Sequence, residues 1–250
     1  MKIVGIIPAR YASTRLPGKP LATILDKPMI EWVYRSVKKS RLIEQIIVAT
    51  DDQRVFDEVK RFGGEVVMTP LDIQTGSDRI AYVARQLPLA DIIVNVQGDE
   101  PFVSGALIDD AIMPLLVDPK LQVSTLVKKI SNQDELYNAS TVKVVFDNFS
   151  NAIYFSRSPI PYSRDTVSIT SEITAGKFFK HIGLYVYRKD FLLYYTKLPQ
   201  SSLEKAEKLE QLRILENGYK IRVVETDFES ISVDTPEDLY RARTYALSFS

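Results

Sequence analysis

The sequence has no cysteine and one histidine. Without a thiol there is no disulfide, zinc–thiolate site, iron–sulfur cluster or cysteine nucleophile. One imidazole is too few for a multi-histidine metal centre. Gly-x-Gly is also missing, which removes the dinucleotide fingerprint, and Gly18-Lys19 runs into Pro20, so this is not a Walker loop. No Gly-x-Ser-x-Gly elbow offers a nucleophile to a serine-hydrolase triad. No apolar run approaches the roughly 18–20 residues of a membrane span. Charge of one sign is not in surplus: 32 Lys and Arg face 32 Asp and Glu, so neither a nucleic-acid partner nor a membrane partner is expected. Chemistry is left to carboxylates, arginine, lysine, hydroxyls and backbone.

The chain has 250 residues, 45% of them hydrophobic, which is ample material for a core. The start, Met1 to Pro8, is too short and too quickly charged for a signal peptide; it reads as a buried first strand, with the cytoplasm as the default location. Apolar strand patterns at Ile3–Ile7, Ile46–Thr50, Val66–Met68 and Ile92–Val96 alternate with helical patterns. One helix opens at Pro28, one holds Val55, Phe56 and Val59 behind Asp51 or Asp52, and one spans Arg79–Leu87. This rhythm predicts an α/β fold with a doubly wound, mostly parallel sheet. After a helix at Ile108–Leu116, strands at Val123–Val127, Val142–Phe146 and Ile153–Phe155 follow without clear helices between them. Ser156–Lys180 reads as a long functional loop. A strand at His181–Tyr187, a helix at Leu203–Leu215, a strand at Ile221–Val224, a short strand at Ile231–Val233 and a helix at Pro236–Ala246 complete the chain. The reading is a single α/β domain over 1–250 with a mixed-strand insertion around 125–190.

The loop after the first strand carries the strongest chemical signal. Pro8-Ala9-Arg10-Tyr11-Ala12-Ser13 leads to Arg15 and Gly18-Lys19-Pro20, beyond the carboxyl end of the strand, where open α/β sheets bind ligands. Small residues let backbone N–H groups approach an anion, and arginine and lysine give charge-assisted bonds to phosphate oxygens. A solvated basic loop is the plain alternative.

A second feature is Asn95-Val96-Gln97-Gly98-Asp99-Glu100-Pro101. Gly98 permits a tight turn that projects Asp99 from the same edge. A carboxylate facing a phosphate loop is a natural Mg²⁺ ligand, because Mg²⁺ takes one or two carboxylates together with phosphate oxygens; a simple turn carboxylate is the other reading. Near the end, Thr235, Pro236 and Asp238 provide for a helix start, and this leaves Asp234 uncommitted. Strand alternation puts His181, Gly183 and Tyr185 on one face, a surface suited to a hydroxylated ligand, although a lone histidine on a strand is more often structural. Arg157 and Arg164 could bind an acid or merely decorate their loop, and nothing in the charged pattern from Glu204 onward singles out Glu210 or Gln211.

Together these segments resemble the nucleotidyltransferases that make CMP-activated acidic sugars, and most closely the branch acting on 3-deoxy-manno-octulosonate. The resemblance rests on residues 7–21, Lys27 to Ile30, Val48 to Asp51, Gly63 to Val66, Asn95 to Pro101, Tyr154 to Arg157, His181 to Tyr185, Leu209 to Arg213 and Val233 to Leu239. Where the family usually reads Ser-Gly-Thr-Glu-Arg, this chain has Thr75-Gly76-Ser77-Asp78-Arg79, and Leu25-Asp26 replaces a common Asn-Gly turn, in which Asp tolerates the strained position.

The resemblance implies a reaction: CTP and the eight-carbon acid give the CMP-sugar and pyrophosphate, for lipopolysaccharide synthesis. It implies that Arg10, Arg15 and Lys19 hold the triphosphate, with Pro8, Ala9, Ser13, Thr50, Asp51, Ser77, Arg79 and Gln97 on the nucleotide side. Asp99 and Asp234 would hold Mg²⁺ as the cofactor. Gln97, His181, Tyr185, Glu210 and Gln211 would contact the sugar, with Arg157 and Arg164 at its acid end or closing the site. A homodimer is expected, with Tyr154, Phe155 and Tyr162 as its surface. The rivals are a CMP-sialic acid synthetase, a sugar-1-phosphate nucleotidyltransferase and, from another class, a non-catalytic nucleotide sensor.

Overall fold

A computed structural model describes residues 1–13, 15–73, 75–164, 168–229 and 231–249. In chain order its elements are β1 (Lys2–Ala9), β2 (Thr23–Ile24), β3 (Lys27–Pro28), α1 (Met29–Val37), β4 (Gln45–Thr50), α2 (Gln53–Arg61), β5 (Glu65–Met68), α3 (Gly76–Ala84), β6 (Ala90–Asn95) and α4 (Gly105–Val117). The second half contributes β7 (Val123–Lys129), α5 (Gln133–Tyr137), β8 (Lys143–Phe146), β9 (Ala152–Ser156), α6 (Ile169–Thr174), β10 (Phe179–Arg188), α7 (Lys189–Tyr195), α8 (Ser202–Glu207), α9 (Gln211–Glu216), β11 (Arg222–Glu225) and α10 (Pro236–Ala246).

The protein is the mixed α/β type expected. Among the described residues a nine-stranded sheet runs in the order β11-β7-β10-β6-β1-β4-β5, with β8 and β9 branching from β10. Neighbours pair in parallel except β10, which runs antiparallel to β6, β7 and β8, and β9, which runs antiparallel to β8. The order explains where a ligand can enter. From β1 the chain moves outward through β4 and β5, then returns to the other side of β1 at β6. The carboxyl ends of β1, β4 and β6 therefore surround a switch point, where a crevice opens.

Alternation along β1 sends Ile3, Ile7 and Ala9 to one face and Val4 and Ile6 to the other. The first face is covered by α1, α2 and α4 through Val33, Val55 and Ile108, among others. The opposite face is covered by α3, α7 and α9 through Ile80, Leu192 and Leu212. Burial on both sides is why these strands read as continuous apolar runs.

Several expectations shift. Asp52, not Asp51, caps α2, accepting from Arg54 N at 2.9 Å. Pro28 closes β3, and α1 starts one residue later. α3 begins at Gly76, three residues before the expected Arg79, because Thr75 caps it by accepting from Asp78 N at 3.1 Å. Leu25, not Asp26, takes the left-handed position of the β2–β3 turn, at φ 54°. The stretch Ile231–Val233 is not a strand; Val233 N gives a single bond to Asp99 O at 3.0 Å. The segment 156–180 holds α6, although 165–167 lie outside the described residues. The helix expected over Leu203–Leu215 is broken in two at Lys208.

Candidate active site

At the switch point lies an open cavity of about 730 Å³. Pro8, Ala9, Arg10, Ser13, Arg15, Lys19, Arg79, Gln97, Asp99, Glu210 and Asp234 line it, so most of the expected residues meet around one cavity.

The basic loop holds its shape through backbone turns. Gly18 sits at φ 69° and donates to Tyr11 O at 3.3 Å, and Leu16 N reaches Ser13 Oγ at 3.3 Å. The Tyr11 ring lies 3.5 Å from the Arg54 guanidinium, which anchors the loop against α2. Opposite, Gly98 is needed for a close approach. A Cβ there would stand 2.6 Å from Pro8 O, so only glycine lets the β6 turn lie against the end of β1.

That turn puts Asp99 beside the loop. Lys19 Nζ is 2.7 Å from Asp99 Oδ2 and 3.0 Å from Asp234 Oδ1, while Arg15 Nη2 is 3.0 Å from the same Asp234 oxygen. Burial works against the Lys19 charge, but Asp99 and Asp234 outweigh it and raise its pKa. Asp234 is free for this because Asp238 completes the capping box of α10.

Asp51 lies behind the cavity wall. It binds Arg79 Nη2 at 2.8 Å and faces Arg10 Nε at 3.7 Å. Arg79 is fully buried and also donates to Thr69 Oγ1 and to Ile73 O at 3.3 Å, which leaves its Nε without a partner. Burial lowers the Arg79 pKa against the pull of Asp51. Thr50 is buried behind the same wall, where its hydroxyl accepts from Asp52 N at 3.3 Å.

A cytidylyltransferase family model matches residues 4–221. The curated 3-deoxy-manno-octulosonate cytidylyltransferase of Geobacter metallireducens is 53% identical over 243 residues, covering 96% of this chain and 95% of that protein. Its counterpart in Trichlorobacter lovleyi is 52% identical over 247 residues, covering 97% and 98%. A solved CMP:2-keto-3-deoxy-manno-octonic acid synthetase, complexed with CTP, is 42% identical with a TM-score of 0.92 and full coverage of both chains. The chain belongs to the 3-deoxy-manno-octulosonate cytidylyltransferase family.

Within that family framework the remaining expected residues divide by position. Gln97 Nε2 reaches Gly183 O at 3.4 Å and so links the cavity to β10. His181 and Tyr185 do not line the cavity itself. His181 Nε2 is 2.9 Å from Thr125 Oγ1; that hydroxyl gives its proton to Leu184 O at 2.7 Å, so the imidazole donates. Burial lowers the His181 pKa to about 3, so the ring is neutral near pH 7. The alternation from His181 to Tyr185 holds, with Ile182, Leu184 and Val186 on one face and the His181 ring 5.2 Å from that of Tyr185 on the other, although the pairing of β10 with β7 shifts register between Ile182 and Tyr185. Tyr185 Oη and Asn95 Oδ1 lie buried without a well-formed hydrogen bond, on strands that pair directly.

Glu210 faces the cavity from the start of α9, and burial raises its pKa, the Ser77 hydroxyl working the other way. Ser77 and Gln211 are buried. Arg157 does not reach the cavity: Nε, Nη1 and Nη2 go to the carbonyls of Glu207, Ala139 and Lys208. Arg164 is exposed at the end of a described segment. Of the aromatic surface, Tyr162 is exposed, Tyr154 bonds Glu207, and Phe155 is core with 0% exposure, because inward alternation on β9 buries it. Reasoning from residue types missed Glu210, whose surroundings in sequence look like an ordinary solvated helix. It also missed the start of α3, for which Thr75 and Asp78 were the available signal.

Two carboxylates already converge on one cation, the Lys19 ammonium. This donor set suits a divalent metal completed by phosphate oxygens. Among the described residues no group of three or more His, Cys, Asp or Glu could hold a metal ion, so the remaining ligands would be phosphate oxygens and water.

Proposed function

We infer that this chain transfers CMP from CTP to the anomeric hydroxyl of 3-deoxy-D-manno-octulosonate, giving the CMP-sugar and pyrophosphate for lipopolysaccharide synthesis. One observation carries the reading: Arg10, Arg15 and Lys19 line the same cavity as Asp99 and Asp234 at the sheet's switch point, with Arg15 and Lys19 paired to those carboxylates. A triphosphate accompanied by a metal ion needs both signs of charge in one cleft.

In this reading Arg10, Arg15 and Lys19 bind and neutralise the phosphates, with Pro8, Ala9 and Ser13 offering close backbone approach. Arg79 and Gln97 line the nucleotide side, with Thr50, Asp51 and Ser77 supporting it from behind the wall. Gln97 and Glu210 face the sugar, with His181, Tyr185 and Gln211 beyond the cavity lining on the same side. Asp99 and Asp234 would hold Mg²⁺, which supplies charge neutralisation and acidifies a coordinated hydroxyl. The anomeric oxygen forms a bond to the α-phosphorus as the bond to the bridging oxygen of pyrophosphate breaks, and the hydroxyl proton passes to solvent water. The protein's share is alignment and fixed charge, the main sources of rate in this class of reaction. Neutral His181 is a hydrogen-bond donor to Thr125, which leaves it unsuited to act as the base from that nitrogen.

The reading also takes the chain as one cytoplasmic unit, with the 125–190 region serving dimerisation. Exposed Phe149, Ile153 and Tyr162 on and beside the β8–β9 arm support this. Among the described residues no helix is long and apolar enough to cross a membrane. The test is pyrophosphate release over a grid of nucleotides and sugar acids. CTP with 3-deoxy-D-manno-octulosonate is expected to dominate; preference for UTP with a sugar phosphate, or for a sialic acid, contradicts the reading.

A further inference from the structure

At the start of β8 sits a buried cation with no part in the chemistry above. Lys143 is 0% exposed, and its ammonium donates to the carbonyls of Asn138 (3.0 Å), Thr141 (2.8 Å) and Arg157 (2.5 Å). Three carbonyls satisfy three donors, so this lysine fixes the backbone where β9 ends.

Arg157, whose carbonyl is thus held, commits its own side chain to another turn. Its Nε is 2.8 Å from Glu207 O and its Nη2 3.4 Å from Lys208 O. The Glu207 carboxylate is gripped from the same strand end by Ser156 Oγ at 2.6 Å and Arg157 N at 3.0 Å. The last residue of α8 is therefore held at both its main chain and its side chain.

The grip coincides with an unusual backbone. Lys208 stands at φ 55° and ψ 46°, a left-handed conformation that disfavours residues bearing a Cβ. Local sequence favours a helix running straight through this point. The reversal instead starts α9 afresh with Glu210 at its N-cap, facing the cavity.

We propose that Arg157 is a positioning residue: by holding the carbonyls of Glu207 and Lys208 it enforces the left-handed turn that delivers Glu210 to the sugar side of the cleft. This rests on the reading of that side as the sugar site. Arg157 acts through Glu210 and does not itself touch substrate.

Steady-state kinetics of Arg157→Gln, Lys208→Gly and the double variant test it. Arg157→Gln raises KM for the sugar acid about ten- to hundredfold, the scale of a misplaced contact. KM for CTP stays within about twofold, since the phosphate loop is untouched. Lys208→Gly alone changes little, because glycine adopts the left-handed turn without cost. In the double variant the glycine restores most of the lost sugar affinity. No rise in Arg157→Gln overturns the proposal, and so does a rise that glycine leaves intact, the result expected if the guanidinium binds substrate directly. If Arg157→Gln does not fold, Arg157→Lys, which lacks the planar fork that reaches Glu207 O and Lys208 O from separate nitrogens, must show the same selective rise and the same rescue. Wild-type protein that does not join this acid to CMP refutes the functional reading first and the positioning role with it, an outcome distinct from any pattern among the variants.

Discussion

Lys19 Nζ lies 2.7 Å from Asp99 Oδ2. The same nitrogen bonds Asp234, so the ammonium occupies the position between two carboxylates that a divalent cation needs. In the proposed reading metal and lysine compete for these carboxylates, and a bound triphosphate would give Lys19 another partner. Mn²⁺ binding to the nucleotide-free protein, followed by electron paramagnetic resonance, checks this. Lys19→Met is expected to tighten Mn²⁺ binding by about tenfold or more, because a positive charge leaves the site. Adding Asp99→Asn removes that gain. Equal affinity in wild type and Lys19→Met contradicts the competition.

The approach of Gly98 to Pro8 leaves no room for a methyl group, since the obstacle at 2.6 Å is a backbone oxygen and not a movable side chain. Gly98→Ala must displace the turn that carries Asp99. We expect kcat/KM to fall by about ten- to hundredfold while circular dichroism shows a folded protein. Wild-type kinetics in Gly98→Ala would show that the turn does not place Asp99.

His181 gives the fold a pH dependence. Burial depresses its pKa from the ordinary 6.5 to about 3, so below 6.5 the unfolded chain takes up a proton that the folded chain refuses until about pH 3. Stability from the neutral ring is complete above pH 6.5 and is lost as pH falls toward 3. Thermal melts between pH 7 and pH 4 should decline less steeply in His181→Asn than in wild type. Parallel slopes would remove His181 from the account.

The Glu204–Arg213 pair joins α8 to α9 with both side chains buried, at 2.5 Å between Nη2 and Oε1. Removing one partner strands the other charge in the core. Glu204→Gln or Arg213→Met is expected to cost about 3–5 kcal/mol in chemical denaturation. A loss under about 1 kcal/mol, the value of an exposed pair, would mean that water reaches the site.

The phosphate loop and Asp99 were legible because each follows directly from a strand end: a parallel strand announces itself as an apolar run, and the next residues must sit at the ligand edge. Asp234 was legible by elimination, once Thr235, Pro236 and Asp238 were assigned to the helix start. The break at Lys208 was not legible. Its cause lies some fifty positions earlier in the chain, in the bonds from Ser156 and Arg157 to Glu207, while local periodicity argues for one helix. The burial of Arg79 was not legible for a related reason: it reads only as a helix start, and Asp51 and Thr69 on other segments draw it into the interior. Phe155 looked like surface because pattern alone does not say which face of a short arm strand turns inward. Residues set by covalent neighbours could be read; residues set by distant partners could not, and the family resemblance supplied Glu210 and Gln211.

The most direct test of the account is ³¹P nuclear magnetic resonance of a reaction holding CTP, 3-deoxy-D-manno-octulosonate, Mg²⁺ and the protein. The account predicts a phosphodiester signal from the CMP-sugar and a pyrophosphate signal rising together in equal amounts, neither appearing without the sugar acid. CDP with inorganic phosphate, or free CMP with no sugar phosphodiester, would contradict it.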